Sequence, residues 1–102
     1  MSAEAKGYWV VGATISDPEA FGVYTAAAGP VMGRAGARVL AGPQRFEVVE
    51  GSSRGVPFIA EFPTYQAALD CYRSPEYQQA IALRQGVAAF DVVIVEGAAV
   101  PG

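Results

Sequence analysis

The first apolar run of the chain, over 8–15, reads YWVVGATI and holds aromatic and β-branched residues without a helical stripe. This pattern predicts a β-strand. Side chains alternate between the two faces of a strand, and here both sets are largely apolar. One set is Trp9, Val11, Ala13 and Ile15, and the other is Tyr8 and Val10. A strand of this kind needs cover on both sides of its sheet.

The segment SDPE at 16–19 predicts a helix start, because Ser16 or Asp17 can cap the first turn and Pro18 suits its first position. Apolar residues then recur at steps of three and four on one face: Phe21, Tyr24, Ala28, Val31 and Ala35. Pro30 removes one internal hydrogen bond, which costs about 3 kcal/mol unless the helix kinks. We therefore expect a bent helix that ends near Gly36.

Short β-rich pieces follow the first helix at 37–41 and 46–50, separated by the turn residues Gly-Pro-Gln at 42–44. After the glycine- and serine-rich loop 51–55, a further strand is predicted over Val56–Phe62. It should form a hairpin with the preceding strand pieces. The last strand is predicted over 91–97, which reads DVVIVEG.

The segment 61–86, EFPTYQAALDCYRSPEYQQAIALRQG, contains two helix starts. Thr64 can cap the first helical run, and Ser74 followed by Pro75 repeats the signal. Gly86 can close the second run in a left-handed conformation. We therefore expect a helix that is broken or kinked at Ser74 and Pro75.

The resulting order of strand, helix, strand, strand, helix, strand is the βαββαβ pattern of α+β ferredoxin-like domains. It predicts a four-stranded antiparallel sheet with two helices on one face, in a single domain spanning 1–102 with a core over 7–97 and flexible ends at 1–6 and 98–102. The face without helices keeps apolar residues, including Tyr8, Val10, Val49, Ile59, Val93 and Val95. Because a large bare apolar patch is rare on monomers, we expect the sheet of a second copy to cover it.

Several motifs follow one another along the chain: GYWV at 7–10, DPEAF at 17–21 with Tyr24 after it, FEVVEG at 46–51, EFP at 61–63, YRSPEYQ at 72–78 and VVIVEG at 92–97. With these motifs the chain resembles the DUF1330 family of small bacterial proteins over nearly its whole length. The resemblance implies a ferredoxin-like fold of the dimeric α/β-barrel type, in which two copies pair through their sheets. It implies no assigned activity.

Composition and charge exclude several classes of function. The 102-residue chain has a net charge of −3 and no histidine. The acidic balance argues against a nucleic-acid partner. Because histidine is the commonest metal ligand and the usual haem ligand, we expect neither a metal nor a cofactor. The single cysteine, Cys71, excludes an internal disulfide and is predicted to be a buried structural thiol.

No secretory segment and no apolar run long enough to span a membrane is recognisable. We therefore expect a cytoplasmic protein without a membrane partner.

Glu61 is the one acid inside the apolar strand VPFIAEF, where an unpaired carboxylate is expensive to bury. It is predicted either to be structural, in an ion pair with Arg38 on the neighbouring strand or solvated at the strand end, or to face an apolar pocket that raises its pKa so that it can move protons. In the second case Glu61 is the acid or base and Arg38 anchors an anion or a carbonyl. The lining of the pocket is then predicted to be Tyr8, Trp9, Tyr72, Arg73 and Tyr77.

Three functions are compatible with these patterns. The first is a metal-free and haem-free enzyme that uses a pocket between helices and sheet to act on a small apolar or aromatic molecule, by proton transfer, isomerisation or cofactor-free oxidation. The second is a non-catalytic module that binds such a molecule. The third is a structural or stress-associated homodimer. The fold does not choose among them.

Overall fold

A computed structural model describes residues 5–98, so the predicted flexible ends at 1–6 and 98–102 lie mostly outside the described residues. The predicted α+β order is confirmed, with the second helical region divided in two. The strands are β1 Gly7–Ile15, β2 Arg38–Ala41, β3 Val56–Phe62 and β4 Ala88–Glu96. The helices are α1 Pro18–Arg34, α2 Tyr65–Arg73 and α3 Pro75–Ala82.

The four strands form one antiparallel sheet in the order β2-β3-β1-β4, as a ferredoxin-like fold requires. Trp9 of β1 lies between Ala60 and Ile94 of its two neighbouring strands. The predicted hairpin is confirmed, because β2 pairs with β3, with a register shift between Val39 and Ala41.

The prediction of a strand at 46–50 is wrong, because these residues belong to a long loop between β2 and β3. Gly42 adopts a φ of +92°, in the left-handed region, and turns the chain out of the sheet directly after β2. A β-rich segment forms a strand only where a neighbour can share its backbone hydrogen bonds. The last strand also differs from the prediction: it begins at Ala88 rather than at 91 and ends at Glu96.

The helix caps follow the sequence signals. Asp17 accepts a hydrogen bond from the backbone N–H of Ala20 (3.1 Å), and α1 continues through Pro30 to Arg34. Thr64 caps α2 in the same way. The predicted break at Ser74 is confirmed, because Ser74 ends α2 and begins α3. Within residues 5–98, no helix is long and apolar enough to cross a membrane.

The core is organised around Trp9, whose side chain is fully buried. Its indole Nε1–H donates to the backbone carbonyl of Ala68 in α2 (2.9 Å), and its ring lies 5.0 Å from the rings of Phe62 and Tyr77. Cys71 of α2 is also buried, as predicted, and burial raises the pKa of its thiol to about 11. The thiol is therefore protonated and inert near neutral pH.

The sheet face opposite the helices is open. Val10, Val93 and Val95 lie on it with exposures of 42%, 61% and 44%. The chain is thin, at 46 × 36 × 17 Å along its principal axes, because one sheet and one helical layer make up its whole depth. The structure thus leaves bare the apolar face for which the sequence predicts a partner.

Candidate functional site

The structure divides the seven predicted site residues between the two faces of the sheet. Tyr8, Glu61 and Arg38 are cross-strand neighbours on the open face. Another three residues pack in or against the core between the sheet and the helices: Trp9, Tyr72 and Tyr77. Arg73 is exposed in the last turn of α2. The prediction of a single pocket lined by all seven residues is therefore wrong, because strand neighbours such as Tyr8 and Trp9 point to opposite faces.

Glu61 forms a small polar cluster on the open face. The Tyr8 hydroxyl donates a hydrogen bond to one carboxylate oxygen (3.0 Å), and the Nε of Arg38 lies 3.9 Å from the other. The Glu61 side chain is 20% exposed, whereas that of Arg38 is 75% exposed. The hydrogen bond to Glu61 is the main reason why the pKa of Tyr8 is raised. This geometry agrees with the structural ion pair between Glu61 and Arg38 rather than with a pocket carboxylate.

A large cavity lies on the other side of the sheet, beneath α1. Its volume is about 430 Å³. Helix α1 forms one wall with Phe21, Tyr24, Ala28 and Met32, and the sheet forms the other with Trp9, Val11, Phe58 and Phe90. The cavity exists because the closest backbone approaches of α1 are to α3, whereas α2 packs directly on the sheet. It is the size of a binding site for a small organic molecule.

The cavity lining is apolar except for a few hydroxyl groups. Of the predicted site residues only Trp9 and Tyr77 belong to it. The hydroxyl of Tyr77 is hydrogen-bonded to that of Tyr24 (2.5 Å), and both tyrosines are buried, at 1% and 5% exposure. Thr25 adds a third hydroxyl, which donates to the Gly22 carbonyl in its own helix. The tyrosine pair is thus the principal polar feature of this cavity.

Arg84, just after α3, supports the tyrosine pair. Its side chain is buried at 8% exposure, and its guanidinium carbon lies 3.9 Å from the ring centre of Phe90 and 5.2 Å from that of Tyr24. Within residues 5–98 its Nε finds no hydrogen-bond partner. Burial raises the pKa of Tyr77 far above its ordinary range and Tyr24 adds to the rise, whereas a hydrogen bond from Arg84 and its charge act in the opposite direction.

Sequence reasoning missed Tyr24 and Arg84 as site residues. The steps of three and four place Tyr24 on the inner face of α1, where an aromatic ring is usually core. Arg84 carried a usable signal, because it follows Tyr77, Ala80 and Ile81 at helical spacing on an apolar face. A charged residue on such a face is almost never fully buried without a partner, which marks it as special.

The described residues contain no group of three or more Asp, Glu or Cys side chains that could hold a metal ion. In the part of the chain that the structure describes, no carboxylate or thiol lines the cavity. The groups that can act there are hydroxyls, and the Arg84 guanidinium packs against the rings of Phe90 and Tyr24.

Residues 6–98 match the family model described as "Domain of unknown function (DUF1330)". The chain belongs to the DUF1330 family. This match confirms the resemblance seen in its motifs.

Solved structures share the fold of this DUF1330 chain. The RPA0582 protein of unknown function from Rhodopseudomonas palustris is similar with a TM-score of 0.73 and 22% identity, over 94% of this chain and 85% of that one. SnoaB, a cofactor-independent oxygenase from Streptomyces nogalater, has a TM-score of 0.64 and 13% identity, over 94% and 96% of the two chains.

A conserved protein of unknown function from Bacteroides thetaiotaomicron, described as a possible oxidoreductase, has a TM-score of 0.56 and 13% identity, over 92% and 99% of the chains. At these identities the likeness shows the fold alone. Among curated proteins no match to the DUF1330 chain is found.

Proposed function

We propose that this DUF1330 protein is a metal-free and haem-free enzyme that binds a small apolar or aromatic molecule in the cavity beneath α1. The observation that carries the proposal is the cavity of about 430 Å³ with an apolar lining and a buried Tyr24–Tyr77 hydroxyl pair. Apolar walls with a few convergent polar groups are the usual make-up of a ligand site.

The tyrosine pair suits the stabilisation of negative charge on an oxygen of the bound molecule. Burial raises the pKa of Tyr77, so its hydroxyl stays protonated and acts as a hydrogen-bond donor. Donors fixed in an apolar site stabilise an enolate or phenolate oxygen more strongly than water does. The reaction would therefore proceed through the anion that an acidic substrate forms by losing its proton to solvent, and proton transfer or oxidation follows from that anion.

An oxidation of this kind needs no cofactor, because the carbanion form of the substrate can pass electrons to dioxygen. In one balanced outcome, a CH₂ group and O₂ become a carbonyl group and water. One oxygen atom forms the new C=O bond, and the other leaves with both hydrogens after the O–O bond breaks. The cofactor-independent oxygenase and the possible oxidoreductase that share this fold support such chemistry.

A cavity-filling variant tests the proposal. A Cβ added at Gly29, which lines the cavity, meets no atom within 4 Å, so Gly29→Leu adds side-chain volume to the cavity lining without a clash at its Cβ. Gly22→Leu is the matched control, because Gly22 lies on the same helix, is equally free of neighbours and does not line the cavity. We expect dihydroxynaphthalenes to bind to the wild type and to Gly22→Leu and to cause oxygen uptake with both proteins. The Gly29→Leu variant should show neither binding nor oxygen uptake. Equal behaviour of the two variants would refute the site.

The lining also favours a second candidate function, non-catalytic binding of the same class of molecule, because it offers no side chain that could remove a proton. Binding without turnover in the same experiment would select this candidate. In both cases we propose that the functional unit is a homodimer paired through the open sheet face, which leaves the α1 cavity of each copy on the outer side.

A further inference from the structure

The cluster of Tyr24, Tyr77 and Arg84 contains more hydrogen-bond donors than acceptors. Tyr24 and Tyr77 carry two hydroxyl hydrogens, and their mutual hydrogen bond uses one. Arg84 can only donate, so it cannot accept the second. Within the described residues neither hydroxyl has another side-chain or backbone acceptor. One hydroxyl hydrogen is therefore left over in a buried site.

Arg84 adds a further unmatched donor beside the pair. Its Nε is buried and has no partner within residues 5–98, and the side chain is more than nine-tenths buried. A buried donor without an acceptor destabilises the folded protein, and the cost is larger when the group is charged. Among residues 5–98, the site thus lacks an acceptor for these donors and a salt-bridge partner for the guanidinium.

We infer that the cavity recognises its ligand through an acceptor oxygen, so that the ligand class is apolar ketones and the anions of phenols or enols, bound at the Tyr24–Tyr77 hydroxyls with Arg84 behind them. The inference rests on the proposed function and names the substrate class of that site. Hydrogen bonds in a chain strengthen one another. If Arg84 donates to Tyr77 and Tyr77 donates to Tyr24, the Tyr24 hydroxyl becomes a stronger donor to the ligand.

Arg84 has a positioning role in this arrangement, because it does not contact the ligand and acts on it only by way of the tyrosine hydroxyls. Its stacking on the rings of Phe90 and Tyr24 holds the guanidinium in place. The charge favours an anionic oxygen over a neutral one. The tyrosine hydroxyls alone would favour any acceptor.

A matched pair of probes tests the donor role. 1-Tetralone and tetralin share a bicyclic skeleton, and only the ketone has an acceptor oxygen. Because each hydroxyl can replace the other, the decisive variant is the double change Tyr24→Phe with Tyr77→Phe. We expect its affinity for tetralone to fall about tenfold, the value of one net hydrogen bond, and its affinity for tetralin to change by less than about twofold.

Tyr72→Phe is the control, because Tyr72 packs against the rings of Trp9 and Tyr77 but does not line the cavity. It should leave both affinities unchanged. If the double variant matches this control, or loses both probes alike, the inference is overturned while the proposed function stands. If the wild type binds neither probe, the proposed function fails and the inference fails with it.

The role of Arg84 has a separate readout. The anion of 4-nitrophenol is yellow, so its pKa can be titrated by absorbance while it is bound. We expect Arg84→Met to raise the pKa of the bound phenol by about one unit or more and to change tetralone affinity much less. An unchanged pKa in a folded Arg84→Met variant would overturn the electrostatic part of the inference.

Discussion

Glu61 is held by one hydrogen bond from Tyr8 and by an ion pair with Arg38, which is largely in solvent. Exposed ion pairs contribute less than about 1 kcal/mol, because water screens the charges and the side chains lose entropy. The Tyr8 hydroxyl can donate to an amide oxygen as well as to a carboxylate. The neutral replacement of Glu61 should therefore have a small effect on the isolated fold.

We predict that, in the monomeric form of the chain, Glu61→Gln lowers the free energy of unfolding by less than about 1 kcal/mol and leaves the affinity for cavity probes unchanged. Urea denaturation measures the first quantity. Asp91→Asn is the control, because it breaks the exposed Arg54–Asp91 ion pair (2.9 Å), which lies farther along the same sheet face and does not contact Glu61. A loss of about 3 kcal/mol or more would show instead that the Glu61 pair is closed off from solvent.

Tyr77 links stability to alkaline pH. Its pKa is raised above the ordinary value of 10.0, so above pH 10 the unfolded chain loses this proton while the folded chain keeps it. The contribution to stability is complete below pH 10 and is lost as pH rises further. The slope reaches about 1.4 kcal/mol per pH unit for one such group.

We predict that the free energy of unfolding falls more steeply between pH 10 and about 11.5 in the wild type than in Tyr77→Phe. Cys71, whose pKa is raised to about 11, also contributes a loss, but it is present in both proteins and cancels in the difference. Urea denaturation at several pH values gives the two slopes. Parallel curves would mean that the Tyr77 hydroxyl is accessible enough to ionise in the folded protein.

At the scale of the elements, Ser74 joins two helices through one hydroxyl. Its Oγ accepts from the backbone N–H of Tyr77 (3.1 Å), and its hydroxyl donates to the Cys71 carbonyl (2.8 Å). The same side chain therefore satisfies the end of α2 and the start of α3. This junction also sets the direction of α3, which carries Tyr77 into the cavity lining.

We predict that Ser74→Ala lowers the free energy of unfolding by about 1 kcal/mol or somewhat more, since two hydrogen bonds are lost. Pro75→Ala should have a smaller effect, because only the preset backbone angle of the first helical position is lost. Thermal and urea unfolding measure both. Ser53→Ala, in the exposed β2–β3 loop, is the control, and an equally small effect of Ser74→Ala would contradict the capping role.

The elements show which parts of the fold could be predicted from local sequence. Ser74 and Pro75 gave a correct helix break because capping depends on neighbours in the chain. The segment 46–50 gave a wrong strand because strand formation depends on a distant partner for its backbone hydrogen bonds. The start of β4 was predicted too late, because Ala88 and Ala89 have little strand preference.

The site was less predictable than the fold. Glu61 and Arg38 were correctly expected to lie next to each other, because the hairpin register brings them together. The sequence analysis placed Tyr8 and Ile59 on the face without helices, and alternation along β3 places Glu61 on the same face as Ile59. The prediction of a pocket between helices and sheet that includes Tyr8 and Glu61 conflicted with this assignment. The cavity depends on the distance between α1 and the sheet, which no periodicity along the chain encodes.

At the scale of the whole molecule, the open sheet face predicts self-association. We expect a homodimer at micromolar concentration and a monomer after Val93→Arg, which places a charge on that face. Val23→Arg is the matched control, because Val23 is similarly exposed, at 57% against 61%, but lies on α1. Sedimentation velocity measures the mass, and a wild-type monomer, or a dimer in Val93→Arg, would contradict the prediction.

The position of α1 above the cavity has a consequence for local opening. Elements with few buried contacts open without global unfolding, and their amide hydrogens then exchange with deuterated water. Since the closest backbone approaches of α1 are to α3, its amides should exchange sooner than those of β1, which is paired on both sides. A molecule that fills the cavity touches both α1 and the sheet, so it should slow deuterium uptake in α1 most. Exchange in this one helix would then report occupancy for a ligand whose identity is still unknown.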